Sequence, residues 1–156
     1  MKHASGFTLI EMMVVVVIVG ILASAAMPLA ALHKRRQQEF ELRENLRVLR
    51  HALDAYKQAF DQGHIEKKAD ASGYPPSLKV LVDGVVDISS PQGAKIYFLR
   101  RLPRNTLAPV DLSPEQTWAT RSYESPPEQP SPGRDVFDVH ADVDGVGLDG
   151  TPYRSW

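Results

Sequence analysis

Two acidic features of the sequence could carry chemistry, and the first is a single carboxylate beside an apolar segment. Glu11 precedes a run from Met12 to Leu32 that contains no charged residue. An ionised side chain inside hydrocarbon costs at least about 2.5–3.5 kcal/mol, so such a charge needs compensation. Either an opposite charge meets Glu11, or Glu11 is a solvated acid at the N-terminus of a helix.

The second feature is a loop rich in aspartate and glycine, HADVDGVGLDG at residues 140–150. Oxygen-rich loops of this kind suit Ca²⁺, which takes about six to eight oxygen ligands in flexible geometry. The loop is not an EF-hand, because Thr151 would stand at the twelfth position, where a bidentate Glu is needed. The alternative to a metal site is a set of Asp-Gly turns in which the aspartates bond to their own backbone.

Enzyme chemistry has little support in the sequence. The five histidines, at positions 3, 33, 51, 64 and 140, lack the spacing of a zinc site, and there is no cysteine. No Gly-x-Ser-x-Gly elbow, P-loop or dinucleotide fingerprint occurs. The formal net charge of −1 argues against nucleic-acid binding, which normally requires a basic patch. We therefore predict a protein that is not an enzyme and has no nucleic-acid partner.

The apolar run is long enough to cross a membrane. As a helix, residues 12–32 span about 31 Å at about 1.5 Å per residue, against a hydrocarbon core of about 30 Å. Pro28 lies late in this helix, where it would bend the helix or open its hydrogen bonds locally. A cleaved signal peptide is one alternative, although the run exceeds the usual core of roughly 7–15 residues. An uncleaved anchor is another. The basic cluster Lys34–Arg36 outweighs Lys2 and by itself favours a cytoplasmic location for the C-terminal side.

An amphipathic helix follows the apolar run. Its apolar side chains recur at alternating spacings of four and three and form one stripe: Leu42, Leu46, Leu49, Leu53, Tyr56 and Phe60. The stripe predicts packing against a sheet of the same subunit, with an intersubunit coiled coil as the alternative. Arg43 and Arg47 are expected to pair with Glu39 or Glu44 on exposed faces.

The two helical segments predict one long helix over residues 7–62, followed by a small domain. Gly63 marks its end, because glycine readily takes the left-handed cap conformation. A short helix is expected within residues 74–84. β-branched and aromatic residues predict strands at 95–102, 120–125 and 135–141. Three strands make a small antiparallel sheet that covers the stripe, which gives an α+β fold.

The segment SGFTLIE at residues 5–11 resembles the class III signal of type IV pilins and type II secretion pseudopilins. The resemblance implies that Gly6 ends a short basic leader and that Phe7 becomes the N-methylated mature N-terminus after cleavage. It also implies that Glu11, the fifth mature residue, meets the ammonium of Phe7 in a neighbouring subunit and selects the register of assembly. Pro28 stands where many family members carry a proline.

The remainder of the chain resembles the major, G-type pseudopilin. The matching stretches are, in chain order, Tyr74-Pro75, YFLRRLPRN, WATRSYES, FDVHADVDGVGLDG and Trp156. The lack of cysteine agrees, because type IVa pilins usually close a C-terminal loop with a disulfide. The resemblance implies a Ca²⁺ site formed by Asp142, Asp144 and Asp149 with backbone carbonyls. The family loop usually carries further acidic residues before its final Trp, where this chain has TPYRSW. We therefore expect the Ca²⁺ site of the family to be altered or lost in this chain.

These resemblances predict a prepilin leader over residues 1–6, a transmembrane and assembly helix over 7–32, and a pilin-like head over 33–156. The head includes the amphipathic half of the helix. It lies in the periplasm and follows a single pass of the chain through the bacterial inner membrane. The expected function is that of a structural subunit of a type II secretion pseudopilus. Expected partners are further copies, other pseudopilins, a prepilin peptidase, and an inner-membrane assembly platform with its ATPase. The alternatives are a type IV or competence (minor) pilin and an uncleaved membrane-anchored binding domain.

Overall fold

The computed structural model describes residues 6–156, apart from the side chain of Ala25. Most of the predicted leader, residues 1–5, lies outside the described residues. The elements follow in the order α1 (Leu9–Asp61), α2 (Val80–Asp83), β1 (Val85–Val86), β2 (Lys95–Ile96), β3 (Trp118–Arg121) and β4 (Asp138–Ala141). Two 3-10 helices lie at Glu115–Thr117 and Tyr153–Ser155. The long helix with small antiparallel sheets confirms the predicted α+β fold.

The chain divides into two compact units, Met1–Gln37 and Gln38–Trp156. The first unit contains the apolar half of α1. An 18-residue window of this helix has a mean hydropathy of 2.6 and is 0% buried inside the protein. By length and composition, the helix can cross a membrane. Pro28 lies inside it and, lacking an N–H group, cannot donate the hydrogen bond that joins one helical turn to the next.

The second half of α1 supplies the core of the second unit. Leu42, Leu46, Leu49, Leu53 and Tyr56 of the stripe are buried, and Phe60 is half-buried. Burial of one face at a helical period explains why this segment is helical and where it packs. The core residues beyond the helix are Ile65, Leu78, Leu81, Trp118, Val136, Val139, Ala141 and Tyr153. Packing of the stripe inside the subunit is therefore confirmed.

The C-terminus of α1 lies where the sequence predicts it. The His64 N–H donates to the Ala59 carbonyl at 2.9 Å, and the Gly63 N–H donates to the Phe60 carbonyl at 3.1 Å. These two bonds form a Schellman motif, in which the residue after the helix is left-handed. Gly63 has a φ of 81°, a conformation that is strained for a residue with a Cβ atom.

The predicted three-stranded sheet is wrong, because the strands form two separate antiparallel pairs. In the first, Val85 pairs with Ile96, so β1 is a strand that the sequence did not predict and β2 is shorter than the predicted strand at 95–102. The chain leaves β2 early because the N–H groups of Phe98 and Leu99 both donate to the Leu81 carbonyl, at 3.1 and 2.9 Å, instead of to a strand.

The second pair joins β3 and β4 from Trp118 opposite Ala141 to Arg121 opposite Asp138. The strand predicted at 120–125 thus begins and ends earlier than expected. The cause is a turn after β3, in which the Ser125 N–H donates to the Ser122 carbonyl at 3.1 Å. In β4 the burial alternates, as expected of a strand with one face on the core.

A buried asparagine fixes the long connection between β2 and β3. Asn105 is 0% exposed. Its Nδ2 donates to the Thr117 carbonyl at 3.2 Å, and its Oδ1 accepts from the Leu107 N–H at 2.9 Å. Beside it, the Trp118 indole N–H donates to the Pro103 carbonyl at 2.9 Å. Because these polar groups have partners, their burial does not incur the cost of an unmade hydrogen bond.

Candidate functional site

The predicted processing and assembly residues lie at the start of α1. Gly6 and Phe7 precede the helix, and Phe7 is 81% exposed. Glu11 lies in the first turn. Its Oε2 accepts from the Thr8 N–H at 2.7 Å and from the Thr8 hydroxyl at 2.8 Å. The Glu11 N–H in turn donates to the Thr8 hydroxyl at 3.3 Å.

This reciprocal pairing of Thr8 with Glu11 is a capping box. It satisfies N–H groups that the first turn of a helix leaves without partners. In one chain alone, Glu11 is therefore an exposed N-terminal acid of the helix, which was one of the two explanations for its charge. The capping box brings no positive charge to the carboxylate, so it leaves open the pairing with a second subunit.

The apolar surface around these residues is exposed. Each side chain from Val14 to Val19 is more than half accessible, with values from 51% to 70%. Pro28 lies further along the same helix. An apolar surface of this extent is unusual for a soluble monomer and requires lipid or other apolar helices as its surroundings.

The acidic loop and the chain after it form a compact turn structure, which we call the C-terminal loop (residues 142–156). Val146 forms an antiparallel bridge with Pro152. The Gly147 N–H donates to the Thr151 carbonyl at 2.7 Å, and the Tyr153 N–H donates to the Gly145 carbonyl at 3.1 Å. Backbone hydrogen bonds of the loop itself therefore fix much of its shape.

The three predicted metal ligands do not form one site. Oδ1 of Asp144 lies 3.0 Å from the Arg154 guanidinium, and Oδ1 of Asp142 lies 4.0 Å from the same group. Asp149 instead pairs with Arg43 of α1. Among residues 6–156, no group of three or more His, Cys, Asp or Glu side chains could hold a metal ion. This geometry does not fit a Ca²⁺ site, and Ca²⁺ binding stays a prediction of the sequence alone.

The Asp149 carboxylate also accepts hydrogen bonds from within its own turn. Its Oδ1 accepts from the Thr151 N–H at 3.0 Å and from the Thr151 hydroxyl at 2.7 Å. These bonds, together with the nearby Arg43 guanidinium, hold the pKa of the Asp149 carboxyl below its usual value. The arrangement matches the Asp-Gly turn that was the alternative to a metal site.

Glu39 is a residue whose role the sequence analysis missed. We expected it on an exposed face, but it is only 6% exposed. Its carboxylate accepts from the Leu148 N–H at 3.0 Å and from the Tyr153 hydroxyl at 2.8 Å. A signal was present, because Glu39 stands three residues before Leu42 and so extends the buried stripe by one position.

Two arginines of α1 also contact the C-terminal part of the chain. Arg43, besides pairing with Asp149, places its guanidinium 4.0 Å from the centre of the Trp156 ring. Arg50 donates to the Asp138 carboxylate at 2.9 Å, to the Val139 carbonyl at 3.1 Å and to the Trp156 carbonyl at 2.9 Å. The expected pairing of Arg47 with Glu44 is confirmed at 2.6 Å, whereas Arg43 pairs with the loop and not with a helical acid.

Comparisons with known proteins point to one family. The prokaryotic N-terminal methylation motif matches residues 1–27. The type II secretion system core protein G of Klebsiella michiganensis is 35% identical over 104 residues, which cover 64% of this chain and 66% of that protein. The core protein G of Klebsiella pneumoniae is 34% identical over 109 residues, 67% of this chain and 70% of that protein.

The core protein G of Vibrio cholerae is 32% identical over 108 residues, which cover 67% of this chain and 66% of that protein. The chain thus matches about two thirds of the length of these relatives. No solved structure matches the chain.

Proposed function

Since this chain belongs to the family of type II secretion system core protein G, the major pseudopilins, we propose that it is a structural subunit of a type II secretion pseudopilus. In this proposal, copies of the chain polymerise from the bacterial inner membrane, and fibre growth helps to drive proteins across the outer membrane. Its work is mechanical and not enzymatic. The observation that best supports the proposal is an exposed apolar helix with one acid, Glu11, in its first turn and no charged residue from Met12 to Leu32.

Processing is the first step that the proposal requires. A prepilin peptidase would cut between Gly6 and Phe7 and release the leader, and Phe7 would then be N-methylated. The match of the N-terminal methylation motif to residues 1–27 supports this assignment. The position of Phe7 also supports it, because the residue is exposed and precedes the first helical residue, Leu9. The cut would create a new ammonium group at Phe7.

Assembly is the second step. The Glu11 carboxylate of one subunit would pair with the new Phe7 ammonium of the next subunit. Each charge alone is costly in hydrocarbon, and the two together are tolerable only where the axial register brings them into contact. The Thr8 bonds to Glu11 support this role, because they hold the carboxylate at the helix terminus. Pro28 would alter the helix locally within the bundle, since it lacks an N–H group.

The proposal also assigns the cellular context. The apolar half of α1 would make a single pass through the inner membrane, with residues 33–156 as a periplasmic head. Its partners would be further copies, other pseudopilins, the peptidase, and an assembly platform with its ATPase. The relatives are type II secretion system core proteins, which supports this context over a type IV or competence pilus.

The test is the variant Glu11→Ala in cells that produce the rest of the secretion system. We expect membrane insertion to be unchanged and fibre yield to fall at least tenfold, because the Phe7 ammonium loses its partner. Fibres are measured by cross-linking and shearing. Glu44→Ala is the matched control, since it removes a helical acid that forms an ion pair with Arg47 of the same helix.

Intact-mass analysis of the same preparations shows whether each variant is cleaved after Gly6. A cleaved Glu11→Ala protein with normal fibre yield would contradict the assembly role. A wild-type protein that retains residues 1–6 would contradict the whole scheme and favour an uncleaved anchor. Long surface fibres in place of short periplasmic ones would favour a type IV pilin.

A further inference from the structure

Basic side chains of the C-terminal loop and of helix α1 lie beside the acids for which the resemblance predicts a metal ion. Arg154 faces Asp142 and Asp144, and Arg43 faces Asp149. Each of the three acids that could ligate Ca²⁺ therefore already has a guanidinium counter-ion. A guanidinium remains charged at every ordinary pH, so it would repel a divalent cation permanently.

We propose that the C-terminal loop is held in place by side chains of helix α1, and not by a bound calcium ion. The side chains are Glu39, Arg43 and Arg50, which we call the helix clasp. This inference concerns the folding of residues 38–156 and does not depend on whether the chain polymerises.

The clasp residues share one face of the helix. At about 100° per residue, positions 39, 43 and 50 project within about 40° of one another. One face of α1 therefore presents a carboxylate and two guanidinium groups in a row to the same stretch of chain. The sequence spacing alone makes this possible, but only the tertiary fold brings the loop to that face.

Glu39 anchors the middle of the loop. Its two oxygens lie 3.0 and 3.2 Å from the Leu148 N–H, and the Tyr153 hydroxyl donates to it at 2.8 Å. Because Glu39 is 6% exposed, these charge-assisted bonds form away from bulk water, where such bonds are stronger than at the surface. The contact fixes both arms of the turn to the helix.

Arg43 and Arg50 hold the end of the loop. Arg43 joins Asp149 and lies over Trp156, so one guanidinium contacts both the acidic turn and the last aromatic ring. Arg50 bridges Asp138, Val139 and Trp156. A cation in an acidic loop would have the same task, which is to join carboxylates and carbonyls from separate parts of the chain.

Several of the oxygens that a metal would need already accept hydrogen bonds. Both carboxylate oxygens of Asp149 accept hydrogen bonds, one from Thr151 and the other from Arg43. The Gly147 carbonyl accepts from the Gly150 N–H at 2.9 Å, and the carbonyls of Gly145 and Thr151 accept from the loop's own N–H groups. The contact of Arg154 with Asp144 contributes little to stability, because Asp144 is 93% exposed. The clasp, and not Arg154, therefore provides the main support.

The first experiment measures calcium directly on the full chain purified in detergent. After dialysis against buffer with excess Ca²⁺ and then metal-free buffer, we expect well under 0.1 mole of calcium per mole of protein. The melting temperature, followed by tryptophan fluorescence, should agree within about 1 °C in EGTA and in millimolar CaCl₂. One mole of bound calcium, or a rise of about 5 °C or more with CaCl₂ but not MgCl₂, would overturn the inference.

The second experiment tests the clasp with Arg43→Met, which keeps the aliphatic stem and removes the guanidinium. We expect a melting temperature lower by several degrees in EGTA and a red shift of the fluorescence from Trp156. Arg47→Met is the matched control, because Arg47 lies on the same helix and forms its ion pair with the half-buried Glu44 and not with the C-terminal loop. Equal melting of both variants and wild type would contradict the clasp.

Arg43→Lys provides a second variant in case Arg43→Met does not fold. Lysine retains the charge but lacks the planar group that lies over the indole ring. We expect a smaller loss of melting temperature than for methionine, with part of the red shift. Full wild-type behaviour of Arg43→Lys, in both melting and emission, would show that the planar contact with Trp156 is not needed and would contradict that part of the clasp.

Discussion

The two halves of helix α1 have the same backbone conformation but opposite relations to their surroundings. From Val14 to Val19 every side chain is apolar and more than half exposed. From Leu42 to Leu53 the leucines recur on one stripe that is buried within its own unit, whereas Val48 lies off the stripe and is exposed. Helical structure by itself therefore says little about the role of a segment. The distribution of apolar residues around the helix decides whether its partner is the same chain, or lipid and other chains.

The acids of the two halves show the same contrast. Glu11 is exposed, and within residues 6–156 its carboxylate bonds locally, to Thr8 three residues away. Glu39 is buried and bonds to residues more than one hundred positions away. A carboxylate with local partners is available for a second subunit, whereas one with distant partners in the same chain is committed to the fold.

The largest effect is expected when one leucine is removed from the buried stripe. Leu49 is 0% exposed, and we expect Leu49→Ala to lower the free energy of unfolding of residues 38–156 by about 2–5 kcal/mol, since it leaves a cavity. The measurement is denaturant unfolding followed by tryptophan fluorescence in detergent. Val16→Ala is the matched control in the exposed half and should change that free energy by less than about 0.5 kcal/mol. A loss below about 1 kcal/mol for Leu49→Ala would mean that the stripe is not the core.

A smaller effect is expected at the buried acid Asp135, where Oδ1 accepts from the Ser122 hydroxyl and the Tyr123 N–H, both at 2.8 Å. Asp135→Asn should cost about 1–3 kcal/mol at pH 7, because it weakens charge-assisted bonds inside the unit. Asp111, which is exposed, provides the control variant Asp111→Asn, which should be nearly neutral.

The Asp135 carboxylate should also make the stability of the wild-type protein fall as the pH is lowered. Burial opposes ionisation of Asp135, but hydrogen bonds from Ser72, Tyr123 and Ser122 outweigh it and hold the pKa of the folded state below the usual value. The folded protein therefore binds this proton less readily than the unfolded chain. The Asp135 carboxylate therefore stabilises the fold at pH values above its unfolded pKa of about 3.9. This stabilisation is lost as the pH falls through the pKa of the folded state. Unfolding midpoints from pH 7 to pH 2 should fall less steeply for Asp135→Asn, and parallel curves would contradict the assignment.

The smallest effect compares two glycines of α1 and its cap. Gly63→Ala should cost about 1–2 kcal/mol, because alanine is strained at a φ of 81°. A Cβ atom there meets no atom within 4 Å, so the cost is conformational and not steric. Gly20→Ala in the exposed half also meets nothing within 4 Å and should leave unfolding of residues 38–156 unchanged. Equal effects of the two changes would show that the Schellman motif does not stabilise this unit.

Features that depend on residues close together in the chain could be predicted from the sequence. The apolar run, the stripe at helical spacing and the end of α1 near Gly63 follow from local periodicity and cap chemistry, and the structure agrees with them. The motif around Gly6, Phe7 and Glu11 is equally local. That is why it could indicate the family before any fold was known.

Features that depend on contacts between distant residues could be seen only in the folded structure. The pairing of β3 with β4, the hydrogen bond of Glu39 to Leu148 and the pairing of Arg43 with Asp149 each join residues far apart in the sequence. A short strand carries too few residues to specify its partner, and an acid or arginine on a helix has the same local pattern whether it faces water or a loop. The choice is made by the free energy of the whole packed unit, which no short stretch of sequence contains.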